Sequence, residues 1–383
     1  MRILFTFAGG AGHFIPLTPI ASAAASAGHA VAFAGQMPMM AMVAAAGFDA
    51  FATGGTTFAE NAGRTALTPV DMEREYRVVR DSYAGPIARA RAAALAALCN
   101  EWRPDVLVRD ELDFGAAVVC ERAGLPYATV LVIATGALVQ PELITESLNA
   151  LRADNGLDRD RGLAMLTRNL VLSPFPPSLR DPRFPLPETA HSIRPSAMAA
   201  TSAAAPAWLS SLPERRTIYV TLGTVFNVEC GDLYERVIAG LRDLRFNVVV
   251  TVGEQIDPRD LGPQPANVRI ERYIDHASLL RHCDAVVCHA GSGTVVGALA
   301  HALPMVLLPM GADQPLNARR CEELGVGRVL DSAKATPASV RAGVCAVLTE
   351  PSYRQAAERV RDEIIGLPDA RHAVSLIERL TAE

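Results

Sequence analysis

Lysine is nearly absent: Lys334 is the only one in 383 residues, and arginine carries the basic character. With the abundant alanine, this marks a high-GC coding bias and bears on no function. Net charge is small, −5 at pH 7, so no basic face for a nucleic acid is expected. No apolar run approaches the ~20 residues needed to span a bilayer. The seven cysteines are an odd number scattered from Cys99 to Cys345, which argues against a disulfide framework. Cys283, Cys288 and His289 are close in sequence, but no second Cys/His pair completes a zinc site. The first residues, MRILFTFAGG, run from start to strand to glycine loop without the organisation of a signal peptide, so a cytoplasmic protein is expected.

A dinucleotide fingerprint is also missing. Gly9, Gly10 and Gly12 follow an apolar strand, but counting G-x-G-x-x-G from Gly10 places Ile15 at the third glycine. The next strand, AVAFAGQ, ends without the acidic residue that would hold a ribose. A nicotinamide enzyme therefore loses its main support.

What is present centres on residues 284–325. DAVVC reads as a buried parallel strand, and HAGSGT (His289 to Thr294) is a glycine-rich turn opening a helix that Pro304 stops. MVLLP is the next strand, followed by Asp313 and Gln314. Both polar clusters follow the carboxyl ends of strands, the edge at which open α/β sheets bind ligands. Gly291 and Gly293 permit close backbone approach, while Ser292 and Thr294 offer hydroxyls. The helix N-terminus supplies unpaired N–H groups and partial positive charge, so the turn suits a phosphate or diphosphate, with His289 as a further donor. Asp313 and Gln314 place a carboxylate beside an amide, a pairing suited to the hydroxyls of a polyol.

This stretch resembles the donor-binding signature of family 1 glycosyltransferases of the GT-B fold: H-x-G-x-G-T, a helix, G/A-x-P, a strand, then D-Q. Its continuation DQPLNARRCEELGVG resembles actinomycete enzymes that attach sugars to natural products, and the similarity extends over essentially the whole chain. The resemblance implies an α/β chain with two Rossmann-like, doubly wound parallel-sheet domains facing across a cleft.

Alternating strands and helices independently predict such sheets. In the first half, strands over 2–7, AVAFA, 49–52, VLVRD and YATVLV alternate with helices 16–27, 37–46, 84–100 and 114–123. The usual strand order 3-2-1-4-5 brings the first and fourth strands together, and with them His13 and Asp110. A histidine steadied by a carboxylate has a fixed tautomer and suits a general base. The resemblance gives His13 that role and Asp110 the support, although Glu111 and Asp113 leave the carboxylate open. Residues 53–83 and 134–172 are long connections. Phe58, Leu138, Leu143 and Ile144 are candidate walls of an apolar acceptor pocket, with packing of an amphipathic helix as the alternative for the last three.

Nine of the 26 prolines fall in 173–213, which reads as a linker after an acceptor domain over 1–172. A second domain over 214–365 restarts with TIYVTLGT, and by resemblance Gly223 and Thr224 approach the donor phosphates. Tyr273 stands at the family's base-stacking aromatic position, followed by Ile274, with His276 near the base or ribose. Asp275 and His276 depart from the proline and glutamine common there, which leaves the choice of base open. Helices 337–349, 352–365 and 369–382 end the chain, and the resemblance implies that residues 366–383 cross back onto the first domain.

These readings imply an inverting glycosyltransferase without cofactor or metal; no D-x-D motif stands close to the donor turn. Its substrates are a nucleotide sugar, by kinship a TDP-deoxysugar, and a polyketide or aromatic aglycone. A homodimer stays open. The rival readings are a nucleotide-sugar 2-epimerase of the same fold and a non-catalytic sugar-nucleotide-binding helper.

Overall fold

The computed structural model describes residues 1–54, 63–195, 206–224 and 226–382. The chain divides into two compact units. The first comprises residues 1–59, 73–196 and 367–383, and the second 60–72 and 197–366.

The first unit holds a seven-stranded sheet: β1 (Arg2–Thr6), β2 (Ala30–Gln36), β3 (Asp49–Thr53), β4 (Val106–Asp110), β5 (Tyr127–Val130), β6 (Val171–Ser173) and β7 (Ala190–Ser192). Their order is β3-β2-β1-β4-β5-β6-β7, and every pairing is parallel. β1 lies centrally, with Ile3 opposite Val31 on one side and Val106 on the other. Covered on both faces, it can be apolar throughout. Phe5, Phe7, Phe14 and Phe33 fill one face, with the Phe5 and Phe33 rings stacked at 5.1 Å. Helix Ala370–Leu380 adds Ala373, Val374, Leu376 and Ile377 to that core.

Two sequence expectations differ from this arrangement. Residues 173–196, read as linker from their prolines, lie in the first unit, where Ala190–Ser192 is an edge strand. Proline is tolerated around short strands at a sheet edge because few ladder hydrogen bonds are needed there. The connection after β3 is also not all loop. Helix begins at Met72 and continues to Trp102, with non-helical backbone at Gly85 (φ −105, ψ −115) immediately before Pro86. A proline disfavours helical geometry in the residue before it.

The second unit holds a six-stranded parallel sheet: β8 (Thr217–Thr221), β9 (Asn247–Thr251), β10 (Val268–Glu271), β11 (Ala285–Cys288), β12 (Met305–Leu307) and β13 (Gly327–Val329). The order is β10-β9-β8-β11-β12-β13. Val220, Val250, Val287 and Val306 form its centre with helices Leu233–Leu241 and Pro337–Thr349. Residues 63–72 also belong here. Thr65 donates its N–H to Val228 O (2.7 Å) and accepts one from Gly231 N (3.0 Å), while Arg64 pairs with Glu235 at 2.8 Å. Among the described residues, no helix is long and apolar enough to cross a membrane.

Candidate active site

β1 and β4 are adjacent, so the loop leaving β1 and the last residue of β4 meet at the carboxyl edge of the first sheet. There Asp110 Oδ2 lies 2.7 Å from His13 Nδ1. An ionised carboxylate only accepts, so Nδ1 carries the proton and Nε2 is the nitrogen through which the ring can take another. The carboxylate is fully buried. Its Oδ2 also accepts from Ala8 N (3.0 Å), and its Oδ1 from Leu112 N (2.8 Å) and Asp113 N (2.6 Å). Burial opposes the charge on Asp110, but His13 and these backbone donors prevail and hold the carboxyl below its ordinary pKa. His13 itself retains 19% side-chain exposure. The Tyr83 ring lies nearly parallel to it, 12° between planes and 6.2 Å between centroids.

The neighbouring carboxylates have other partners. Glu111 Oε2 accepts from Val132 N (2.6 Å) and Ile133 N (3.2 Å), and burial, against the opposing charge of Arg180, pushes its pKa up to about 7. Asp113 forms a buried ion pair with Arg91 and caps helix Phe114–Ala123. Asp110 is therefore the member of this acidic run that meets the histidine.

The expected acceptor wall is less uniform. Helix Pro141–Asp154 turns Ile144, Leu148 and Leu151 inward, and Leu138 is likewise buried. Leu143 is exposed. Leu138 and Ile144 are thus buried, and Phe58 lies outside the described residues.

In the second unit, His289 follows β11 directly. Ala290 takes a left-handed conformation (φ +68), Gly291 precedes the helix without a side-chain cap, and helix Ser292–Ala300 begins. The N–H groups of its first turn have no intrahelical acceptor. The His289 ring lies between two glycines: a Cβ on Gly223 or on Gly291 would fall 2.5 Å from its Nε2. Burial, with His276 nearby adding to it, lowers the His289 pKa to about 4. At neutral pH it is an uncharged donor. Thr224 and Gly293 are exposed beside this turn, whereas Thr294 is buried.

Ser292 does not simply point outward: its hydroxyl donates to Asp313 Oδ2 at 2.6 Å. Gln314 is anchored through Oε1, which accepts from Met310 N (2.9 Å) and Gly311 N (3.3 Å). The turn after β11 and the loop after β12 are thus joined by the Ser292–Asp313 hydrogen bond, with Gln314 anchored beside it.

Past β10, Tyr273 is 62% exposed while Ile274 is buried. Both line an open pocket of ≈ 320 Å³ together with Trp208. Asp275, where the family commonly has proline, caps the next helix by accepting from Ser278 N at 2.9 Å. His276 Nε2 is 3.0 Å from Tyr219 OH, and burial lowers its pKa. Among the described residues, no group of three or more His, Cys, Asp or Glu is placed to hold a metal ion.

Residues 235–380 match the family described as erythromycin biosynthesis protein CIII-like, C-terminal domain. The 4'-demethylrebeccamycin synthase of Lentzea aerocolonigenes is 32% identical, with 99% of each chain aligned. The chain belongs to the actinomycete natural-product glycosyltransferases of the GT-B fold. The aclacinomycin-T 2-deoxy-L-fucose transferase of Streptomyces galilaeus is 28% identical over 100% of this chain and 97% of its own. Among solved structures, spinosyn forosaminyltransferase SpnP superposes with a TM-score of 0.78 at 26% identity, covering 100% of both chains. Spinosyn rhamnosyltransferase SpnG complexed with thymidine diphosphate shares the fold at TM-score 0.83 and 23% identity, over 99% of this chain and 100% of its own.

Three residues of this glycosyltransferase's candidate site were not legible in the sequence. Tyr83 sits in a stretch without a motif, and Trp208 in a proline-rich run. Asn317 is buried within the Ser292–Asp313 cluster. Its spacing from Asp313, one helical turn, was the one available signal.

Proposed function

We propose that this glycosyltransferase moves a sugar from a TDP-sugar to an apolar natural-product aglycone with inversion at the anomeric carbon. The observation that carries the reading is the His13–Asp110 pair, which has the geometry of an oriented general base. His13 Nε2 takes the proton of an acceptor hydroxyl, or of an acidic aromatic carbon, as that atom bonds to C1. The bond from C1 to the diphosphate oxygen breaks in the same step, and TDP departs. One displacement from the opposite face inverts the centre. Asp110 stabilises the imidazolium that results.

The donor lies with its diphosphate against Gly223, Thr224 and the turn His289 to Thr294. First-turn N–H groups and neutral His289 meet the charge developing on the leaving group, the electrostatic work that a metal performs elsewhere. Asp313 and Gln314 hold the sugar hydroxyls, and Tyr273 with Ile274 and His276 borders the nucleoside. TDP and a deoxyhexose are favoured by kinship. The relatives include a protein named TDP-daunosamine transferase DnrS and the deoxyfucose transferase above.

The test is titration of the protein with TDP and UDP in EDTA, followed by turnover of TDP-sugars on aromatic and polyketide aglycones. The reading expects TDP binding without metal, a product of inverted configuration by its anomeric NMR coupling, and turnover abolished in His13→Ala. A retained configuration, or full turnover in that variant, removes it.

A further inference from the structure

Asn317 lies one turn into helix Gln314–Glu323 and is fully buried. Its amide nitrogen reaches three oxygens: Ala290 O at 3.0 Å, Ser292 Oγ at 3.1 Å and Asp313 Oδ2 at 2.7 Å. A carbonyl and a carboxylate can only accept, so these neighbours fix which end of the amide is nitrogen. The opposite end is costly, since Oδ1 is buried without a hydrogen-bond partner. An apolar residue would remove that cost but would also take a donor away from Ala290 O and from the Asp313 carboxylate. The position is therefore suited to its N–H groups and to little else.

The atoms it holds carry the proposed donor chemistry. Ala290 is a non-glycine residue at φ +68, a conformation disfavoured for an L residue that needs a fixed neighbour to persist. Its carbonyl is one of the three oxygens bound. Ala290 leads into Gly291 and the first turn of helix Ser292–Ala300, so its conformation sets where those N–H groups point. Asp313 is the sugar carboxylate, and Ser292 hydrogen-bonds to it at 2.6 Å. A single side chain thus ties the turn after β11 to the loop after β12.

We infer that Asn317 is a positioning residue that locks the diphosphate-binding turn and the sugar-binding carboxylate into one unit, so that donor affinity depends on a side chain the donor cannot touch. The inference rests on the donor site proposed above.

The experiment is calorimetric titration of TDP into wild type, Asn317→Ala, Asn317→Asp, Asp313→Ala and the Asn317→Ala/Asp313→Ala double variant, each with its melting curve. Loss of a buried hydrogen bond to a charged group predicts TDP affinity down roughly tenfold or more in folded Asn317→Ala. Asn317→Asp preserves volume while removing the donors, and the same loss is expected there. The effects of Asn317→Ala and Asp313→Ala should not add, because both act through one cluster. A merely structural role moves the melting temperature and leaves affinity and additivity alone. Folded Asn317→Ala within about twofold of wild type, or strictly additive losses, overturns the inference. If both Asn317 variants fail to fold, Asn317 is a core residue and the inference falls. If wild type binds no TDP, the donor-site reading itself fails.

Discussion

A side chain at Gly223 and the imidazole of His289 claim the same space: a Cβ built on Gly223 lies 2.5 Å from His289 Nε2. Gly223 also stands at φ +80, so alanine there meets backbone strain of roughly 1–2 kcal/mol before it meets the ring. The ring cannot yield the other way, because Gly291 approaches it equally closely. Gly223→Ala is expected to displace His289 from the anion turn and lower TDP affinity at least about tenfold, the equivalent of one lost hydrogen bond to a charged ligand. Titration calorimetry on the folded variant checks it; wild-type affinity would show that His289 is not a donor-site group.

Asp110→Asn should separate orientation from folding. An amide retains an acceptor oxygen for part of the backbone shell, but it no longer stabilises a protonated His13. Turnover is expected to fall about 10²–10⁴-fold with the donor Kd unchanged. Stability supplies a second readout. Because the folded pKa of Asp110 lies below its ordinary value, the folded state binds the proton less readily than the unfolded chain. Its contribution is present at neutral pH and disappears as pH falls through the folded pKa. Denaturant melts from pH 5 down to pH 2 should show a shallower acid loss in Asp110→Asn than in wild type.

The residues behind these two predictions were largely visible in the sequence, for physical reasons. Buried parallel strands must be apolar runs, and a glycine-rich turn opening a helix has its own pattern, so β1, β4, β11 and the turn at His289 stand out as structure. Strand order then placed Asp110 beside His13. Other features leave no such signature. β6 and β7 have three residues each, too short for a periodicity to stand out among their prolines. The docking of residues 63–72 on the second unit depends on Thr65 and Arg64 meeting Val228, Gly231 and Glu235, all more than 160 residues away. The amphipathic pattern of Pro141–Asp154 marks a helix with one buried side, Ile144, Leu148 and Leu151, although Leu143 is exposed; periodicity alone does not say whether an apolar face meets a ligand or a core.

Glu111 gives a pH dependence of opposite sign to that of Asp110. Burial raises its pKa from 4.5 to about 7, so between those values the folded protein keeps a proton that the unfolded chain has lost. Stability attributable to this group therefore declines as pH rises from 4.5 to about 7 and is level above. Glu111→Gln imitates the protonated form and retains an oxygen for Val132 N and Ile133 N. Urea denaturation at pH 5, 6, 7 and 8 should show the variant gaining on wild type as pH rises, by on the order of 2–3 kcal/mol at most. A difference that stays constant would mean that Glu111 is ionised throughout, held so by Arg180 and the two N–H groups.

Tyr273 is the place where ligand affinity and stability should come apart most cleanly. Its ring is 62% exposed at the mouth of the pocket shared with Trp208 and Ile274, so removing it uncovers little core. An aromatic face left in water is useful to a nucleobase, for which stacking contributes about 1–3 kcal/mol. Tyr273→Ala is expected to weaken TDP roughly tenfold or more while the melting temperature stays within a degree or two, and Tyr273→Trp to retain affinity. Buried Ile274 should behave in the reverse way, its truncation destabilising the protein first. If Tyr273→Ala binds TDP as well as wild type does, the base does not stack there, and Trp208 becomes the aromatic to replace next.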